Sequence, residues 1–256
     1  KTYTGENKKA QSEGLMTLIQ GTEQCVDVAK NMLAACNNVA TKCTSEKGKK
    51  RVEVHIKEAK AALFKAEANA VNVYSQAIEF NKVLTADALN QINWSSHMVQ
   101  DPHLTEEELL QHATAVSKYC RLAIDAADRA VDFVEKAEIY LHEVIAQTDD
   151  KELIAKATAK VQAAYKSAAT AIANLEASLI GAQTVQQKLD SPKYNDNETV
   201  QATKEKLASM QSELVHTELR QKKMHEFASE LPQKISIERG GNKMIHPLKQ
   251  PEQNSQ

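Results

Sequence analysis

Residues 25–43, "CVDVAKNMLAACNNVATKC", hold three of the chain's four cysteines, Cys25, Cys36 and Cys43. The stretch has helical spacing. With its N-terminal neighbours it continues a line of small and apolar residues: Leu15, Leu18, Thr22, Cys25, Ala29, Met32, Cys36, Val39 and Cys43. Steps of three and four place this line on one helix face. A second line, Ile19, Val26, Leu33 and Ala40, runs beside it and widens the apolar strip. A further stripe follows: Ile56, Ala59, Leu63, Ala66, Ala70, Val73, Ala77, Phe80 and Leu84. The two stripes are out of phase by one residue. The slip falls at "TSEKGKK" and is either a turn or a register shift in one continuing helix.

Prolines and capping patterns divide the rest. Pro102 is followed by Thr105-Glu-Glu-Glu108, a capping box that opens a second helical segment. Its stripe is Leu109, Val116, Cys120, Ala123, Ala127, Ala130, Val134, Ala137, Leu141 and Val144. A second slip falls at "QTDDK", after which Ile154, Val161, Ala168, Leu175, Leu179, Ala182 and Leu189 resume the pattern. A third segment after Asn197 carries Val200, Leu207, Met210, Leu214, Met224 and Leu231. Past Pro232 the helical pattern fades, and an irregular C-terminal tail is expected over 232–256.

The expected fold is all-α. It is one elongated three-helix bundle: two very long antiparallel helices over about 10–92 and 104–190, with a shorter third helix over about 197–231. The competing arrangement makes both slips turns and gives five helices of about 35–45 residues in a shorter, thicker bundle. Scarce glycine and proline, few aromatics and abundant alanine suit closely packed helices. With 32 basic against 34 acidic residues, no global bias toward nucleic acid or acidic membrane is expected. No stretch approaches the ~18 unbroken apolar residues of a membrane span. The polar start without Met reads as a processed or trimmed chain.

The cysteines read either as small buried residues or as disulfides of a secreted protein. Two sequons, Asn93-Trp-Ser95 and Asn197-Glu-Thr199, are candidate glycosylation sites placed in the two expected interhelix loops and favour the secreted compartment. Cys36 and Cys43 lie ~10 Å apart along a helix and cannot pair there. A Cys25–Cys120 pair would mark the five-helix arrangement; four free thiols would mark the rod.

No catalytic constellation is found, so no enzyme activity is expected. His142-Glu143 and His225-Glu226 lack the second histidine of a zinc-protease helix, and Glu213-Leu-Val-His216 stands alone. There is no glycine-rich phosphate cradle. No metal and no cofactor are expected. The basic run Lys47-Gly-Lys-Lys-Arg51 reads as a solvated face.

Two stretches, "GTEQCVDVAKNMLAACNNVAT" and "RVEVHIKEAKAALFKAEANAVNV", resemble the first long helix of the trypanosome haptoglobin–haemoglobin receptor family. The carrying features are the cysteine in Glu23-x-Cys25-x-x-Ala, the Val52-Glu-x-His55 spacing and the alanine ladder behind it. The resemblance covers residues 21–73. It implies an elongated three-helix ectodomain on the cell surface, held by a C-terminal lipid anchor that is absent from this chain. It also implies a partner, haemoglobin or the haptoglobin–haemoglobin complex, captured for endocytic haem uptake. One departure stands out: no cysteine follows Cys120. The family's distal head and crosslink are therefore not carried over. Within the resembling stretch, Val26, Lys30, Leu33, Asn37 and Ala40 form a small, apolar face and are the candidate partner-binding residues. Alternatively, Val26 and Leu33 merely widen the core. Two other functions fit the composition: a helical surface-coat or stage-specific surface protein without a dedicated ligand, and, if the sequons are accidental, an intracellular coiled-coil scaffold.

Overall fold

The computed structural model describes residues 5–194 and 197–244. They form α1 (Gly5–Lys42), α2 (Glu46–Met98), α3 (Glu106–Ala146), α4 (Lys151–Leu189), a short 3-10 turn (Pro192–Tyr194), α5 (Glu198–Gln211) and α6 (Leu214–Met244). Among the described residues there is no strand, and the all-α expectation holds.

Both phase slips are turns, so the two very long helices of the rod do not exist. At the first slip the Ser45 side chain accepts from the Gly48 N–H at 3.2 Å and starts α2 afresh. A Cβ at residue 48 would crowd the Cys43 sulfur and the Ser45 hydroxyl, so glycine leaves the capping side chain its room. At the second slip the Asp150 carboxylate caps the N–H groups of Glu152 and Leu153. The expected capping box at Thr105 and Glu108 is present at the start of α3. The longest helix, α2, has 53 residues, about 80 Å.

Side-chain pairings give the helix directions. Lys8 with Asp87 and Tyr74 with Glu23 make α1 and α2 an antiparallel hairpin. Arg129 Nε donates to Asn81 Oδ1 at 3.0 Å between antiparallel α2 and α3. Tyr165 with Glu138 closes the α3–α4 hairpin. Asn174 on Thr85 and Ser96 on the Gly181 carbonyl run α4 parallel to α2. Arg220–Asp128, Lys234–Glu138 and Arg239–Asp149 run α6 parallel to α3. The molecule is thus a trio of α2, α3 and α4, with α1 laid on α2 and α6 laid on α4 and α3.

The core is built largely from alanine and leucine. The expected stripes of α3 and α4 are buried throughout. Alanine lets the backbones approach, and the few long side chains, such as Ile92, Leu109, Leu141, Leu175 and Leu179, fill the remaining space. Glu138 joins three helices. Burial raises its carboxyl, but hydrogen bonds from Lys234, Tyr165 and His142 outweigh that and hold it below the usual carboxylate range. This contribution to stability is present above the ordinary glutamate value and fades on acidification below it.

The helical part of the expected tail is a second correction. α6 passes through Pro232 and runs to Met244. A proline removes its own N–H and leaves the carbonyl four residues back without its helical donor. That carbonyl, on Ala228, is taken instead by Gln162 Nε2 of α4 at 2.7 Å. The substitution Gln162→Leu is therefore expected to cost about 1–2 kcal/mol. In a Pro232→Ala background, where residue 232 supplies its own N–H, the cost should shrink by at least half. A double-mutant cycle by urea unfolding measures both numbers, and full additivity would show that the two residues do not share this carbonyl. Residues 245–256 of the expected tail lie outside the described residues.

Candidate functional site

The helix α1 shows which of its two apolar lines the bundle uses. Its covered face is Ile19, Thr22, Val26, Ala29, Leu33, Cys36, Ala40 and Cys43, in alternating steps of three and four. This joins the flanking line to half of the expected core stripe. The other half, Leu18, Cys25, Met32 and Val39, lies on the surface.

The five candidate partner-binding residues are consequently split. Val26 is 1% exposed and packs with Ala29, Leu63 and Ala70, so it presents no surface to a partner. Leu33 and Ala40 are half-buried, Leu33 against the same cluster. Lys30 and Asn37 are exposed. The physical reason is the position of α2, which sits under the flanking line and not under Leu18, Met32 and Val39. Disruption of this face by Leu33→Arg or Ala40→Glu would therefore act on the α1–α2 contact as well as on any partner.

Beneath α1 a buried carboxyl, Glu67, meets a partly exposed one, Glu143. Glu67 of α2 has a side chain only 2% exposed. Gln147, the C-cap of α3, donates to one of its oxygens, and the other lies 3.9 Å from Lys30 Nζ. The same ammonium donates to both oxygens of Glu143 at 2.9 and 3.0 Å. Burial and a hydrogen bond shared with Glu143 push the Glu67 carboxyl up to about 7. Burial also raises Glu143, but its bonds to Glu67 and Lys30 outweigh that and hold it below its ordinary value. Near neutral pH Glu67 is partly protonated while Glu143 keeps its charge, both beside the Lys30 ammonium. These groups border an open cleft of about 820 Å³ whose lining also includes Leu33, Leu63 and Phe64. The cluster ties α1, α2 and α3 together. Among the described residues, no three His, Cys, Asp or Glu side chains converge to hold a metal ion.

The outward face of α1 has the composition of a contact surface. Leu18, Gly21, Cys25, Val28, Met32, Ala35 and Val39 follow one another at steps of three and four, the spacing of a helix-packing seam. Val28 is 59% exposed, Met32 49% and Val39 55%. From Asn31 to Thr41 there is no charged residue. Surface helices keep charge on their solvent face, and its loss together with exposed Met and Val is the pattern of buried interface centres. The sequence contained this signal: two parallel apolar lines on one helix are one more than a single neighbour needs.

The four thiols are free and unequal. Cys120 is buried, and burial alone pushes its thiol up to about 12, which makes it inert. Cys25 is exposed. The Lys30–Glu143 pairing sets Cys25 level with Glu138, about 27 Å along the bundle from Cys120. With both slips as turns and the third segment divided into α5 and α6, the bundle nevertheless holds four free thiols, and the expectation linking the turns to a Cys25–Cys120 disulfide fails on helix register.

The sequons also separate. Asn93 is exposed, but it lies inside α2, because that helix continues to Met98; Ser95 of the same sequon is buried. Only the second sequon is interhelical. Asn197 caps α5, accepting from the N–H groups of Thr199 and Val200, and it donates to Glu106.

No helix among the described residues is long and apolar enough to cross a membrane. The fold and this surface define an α-helical bundle with an exposed apolar seam along α1. No family model, curated protein or solved structure matches the chain.

Proposed function

We propose that this chain is the ectodomain of a cell-surface receptor that captures a protein ligand along the outer face of α1. The supporting observation is the exposed, charge-free seam through Val28, Met32 and Val39. Haemoglobin, alone or with haptoglobin, is the ligand implied by the resemblance of residues 21–73, and uptake of haem is the purpose it implies. A C-terminal lipid anchor belongs to the same reading, as does a role in binding with no enzyme activity.

Size sharpens the proposal. From Leu18 to Val39 the seam is about 32 Å long and one helix, about 10 Å, wide. That offers roughly 300 Å², against about 800 Å² per partner in a standard interface. The ligand must therefore also cover a neighbouring helix, and α2 is the one paired with α1.

Surface plasmon resonance against purified haemoglobin and the haptoglobin complex is the test. The double substitution Met32→Arg, Val39→Arg changes exposed residues only. It should weaken binding by at least about 30-fold, the scale of a lost interface centre, with an unchanged melting temperature. No binding of either ligand at micromolar concentration would defeat the receptor reading in favour of a ligand-free coat protein. Undiminished binding by the folded double mutant would move the site off α1.

A further inference from the structure

The α1–α2 hairpin outruns the rest of the bundle. Lys30 is level with Glu143, so α3 ends near residue 33 of α1. Lys160 is level with Asn72, so α4 begins near residue 63 of α2. Residues 34–62 therefore stand clear of α3 and α4 as a two-helix arm about 24 Å long. Only Ala59 in this arm is buried.

The arm is strongly basic in a chain that is not. Between residues 42 and 60 there are seven Lys and Arg against three Glu, a local charge of +4 in a molecule of formal charge −2. The cations are also ordered. Taking the covered face of α2 as the one holding Val52, Ile56 and Ala59, the opposite face carries Lys47, Lys50, Arg51, Val54 and Lys57, with Glu58 the one acidic residue among them. Among the described residues none of these four cations has a carboxylate partner, whereas Lys49 is neutralised by Glu46 at 3.0 Å and Glu58 binds His55 at 3.2 Å. The N-terminal end of α2 adds its partial positive charge at the tip.

From this stripe we infer a binding site for a sulfated polysaccharide laid along the outer face of the arm. Three features select this partner. The cations run along one side of a helix over about 15 Å, the length of about three sugar rings, rather than in a flat ring at the tip that would match a bilayer. They are exposed, on long side chains with many rotamers, which suits dispersed sulfate groups and not one buried phosphate. No Phe, Tyr or Trp occurs between residues 42 and 63, so there is no platform on which nucleic acid bases could stack. The site is separate from the α1 seam: it lies on α2 and depends on charge, not on apolar contact.

Isothermal titration with a size-defined heparin oligosaccharide tests the inference on the intact chain. Binding is expected at 50 mM NaCl and should weaken at least about tenfold by 200 mM, since exposed charges are screened. The triple substitution Lys47→Gln, Lys50→Gln, Lys57→Gln should lower affinity at least about tenfold with unchanged circular dichroism and melting temperature. Lys222→Gln, Lys223→Gln on α6 should leave it unaltered. No heparin binding at 50 mM NaCl would overturn the inference. So would equal affinity for single-stranded DNA of matched charge, tighter binding to phosphatidylserine vesicles, or a triple mutant that binds as the wild type does.

Discussion

Glu67→Gln is expected to make the protein more stable at pH 8, by about 1–3 kcal/mol, and to leave it nearly unchanged at pH 5. Glu67 is all but excluded from water, and its carboxyl sits up at about 7 instead of the ordinary 4.5. The folded state therefore holds a proton that the unfolded chain releases between those values. Where the native state binds more protons, stability falls as pH rises. The loss begins near pH 4.5 and is complete just above 7. A displacement of this size corresponds to about 3 kcal/mol at most. Glu143 acts oppositely, because its carboxyl is held low and its contribution persists above the ordinary value. The amide introduced at position 67 would still accept from Gln147 while carrying no charge to desolvate. In thermal melts the variant should exceed wild type by several degrees at pH 8, taking about 2–4 °C per kcal/mol for a chain of this length, with the two converging at pH 5. Parallel pH profiles would show that Glu67 is ionised at no cost.

Leu175→Ala should be the most damaging single truncation, at about 4–5 kcal/mol. Leu175 has no exposed surface and lies in a core cluster whose other members include Ala88, Ala123, Ala127 and Ala182. The cost of a cavity depends on whether neighbours can collapse into it, and measured Leu→Ala costs span about 2–5 kcal/mol for that reason. Alanine side chains cannot reach across a gap, so this core should sit at the upper end. The urea midpoint should fall with the slope of the transition unchanged, because α4 belongs to the central trio and unfolds with it. A cost under about 1 kcal/mol would mean that the helices close the gap as rigid bodies.

Much of this architecture is legible in the sequence. The stripes assigned to α3 and α4 are buried residue for residue, and the Thr105–Glu108 box caps where the pattern places it. Both phase slips mark real breaks. Whether they are turns depends on partners distant in sequence, although Ser45 and Asp150 are readable as caps. The tail defeats a sequence reading because the donor that replaces Pro232 comes from Gln162, on a different helix far earlier in the chain. On α1 periodicity fails for a different reason. Two apolar lines with one shared period cannot say which faces inward, and the candidate site falls partly on the wrong one. Lys30 and Asn37 stay outside while Val26 goes into the core.

The overhanging arm separates two kinds of selection. Beyond residue 34 the hairpin leans only on itself, so a change at its tip alters a local opening equilibrium and leaves the global one alone. Backbone amides there should exchange with solvent water long before those of the trio. A lineage could rewrite the cations of Lys47–Lys57, or the whole tip, without renegotiating how the molecule folds. The arm is where this protein is free to diversify, and Glu67, at its root, marks where that freedom stops.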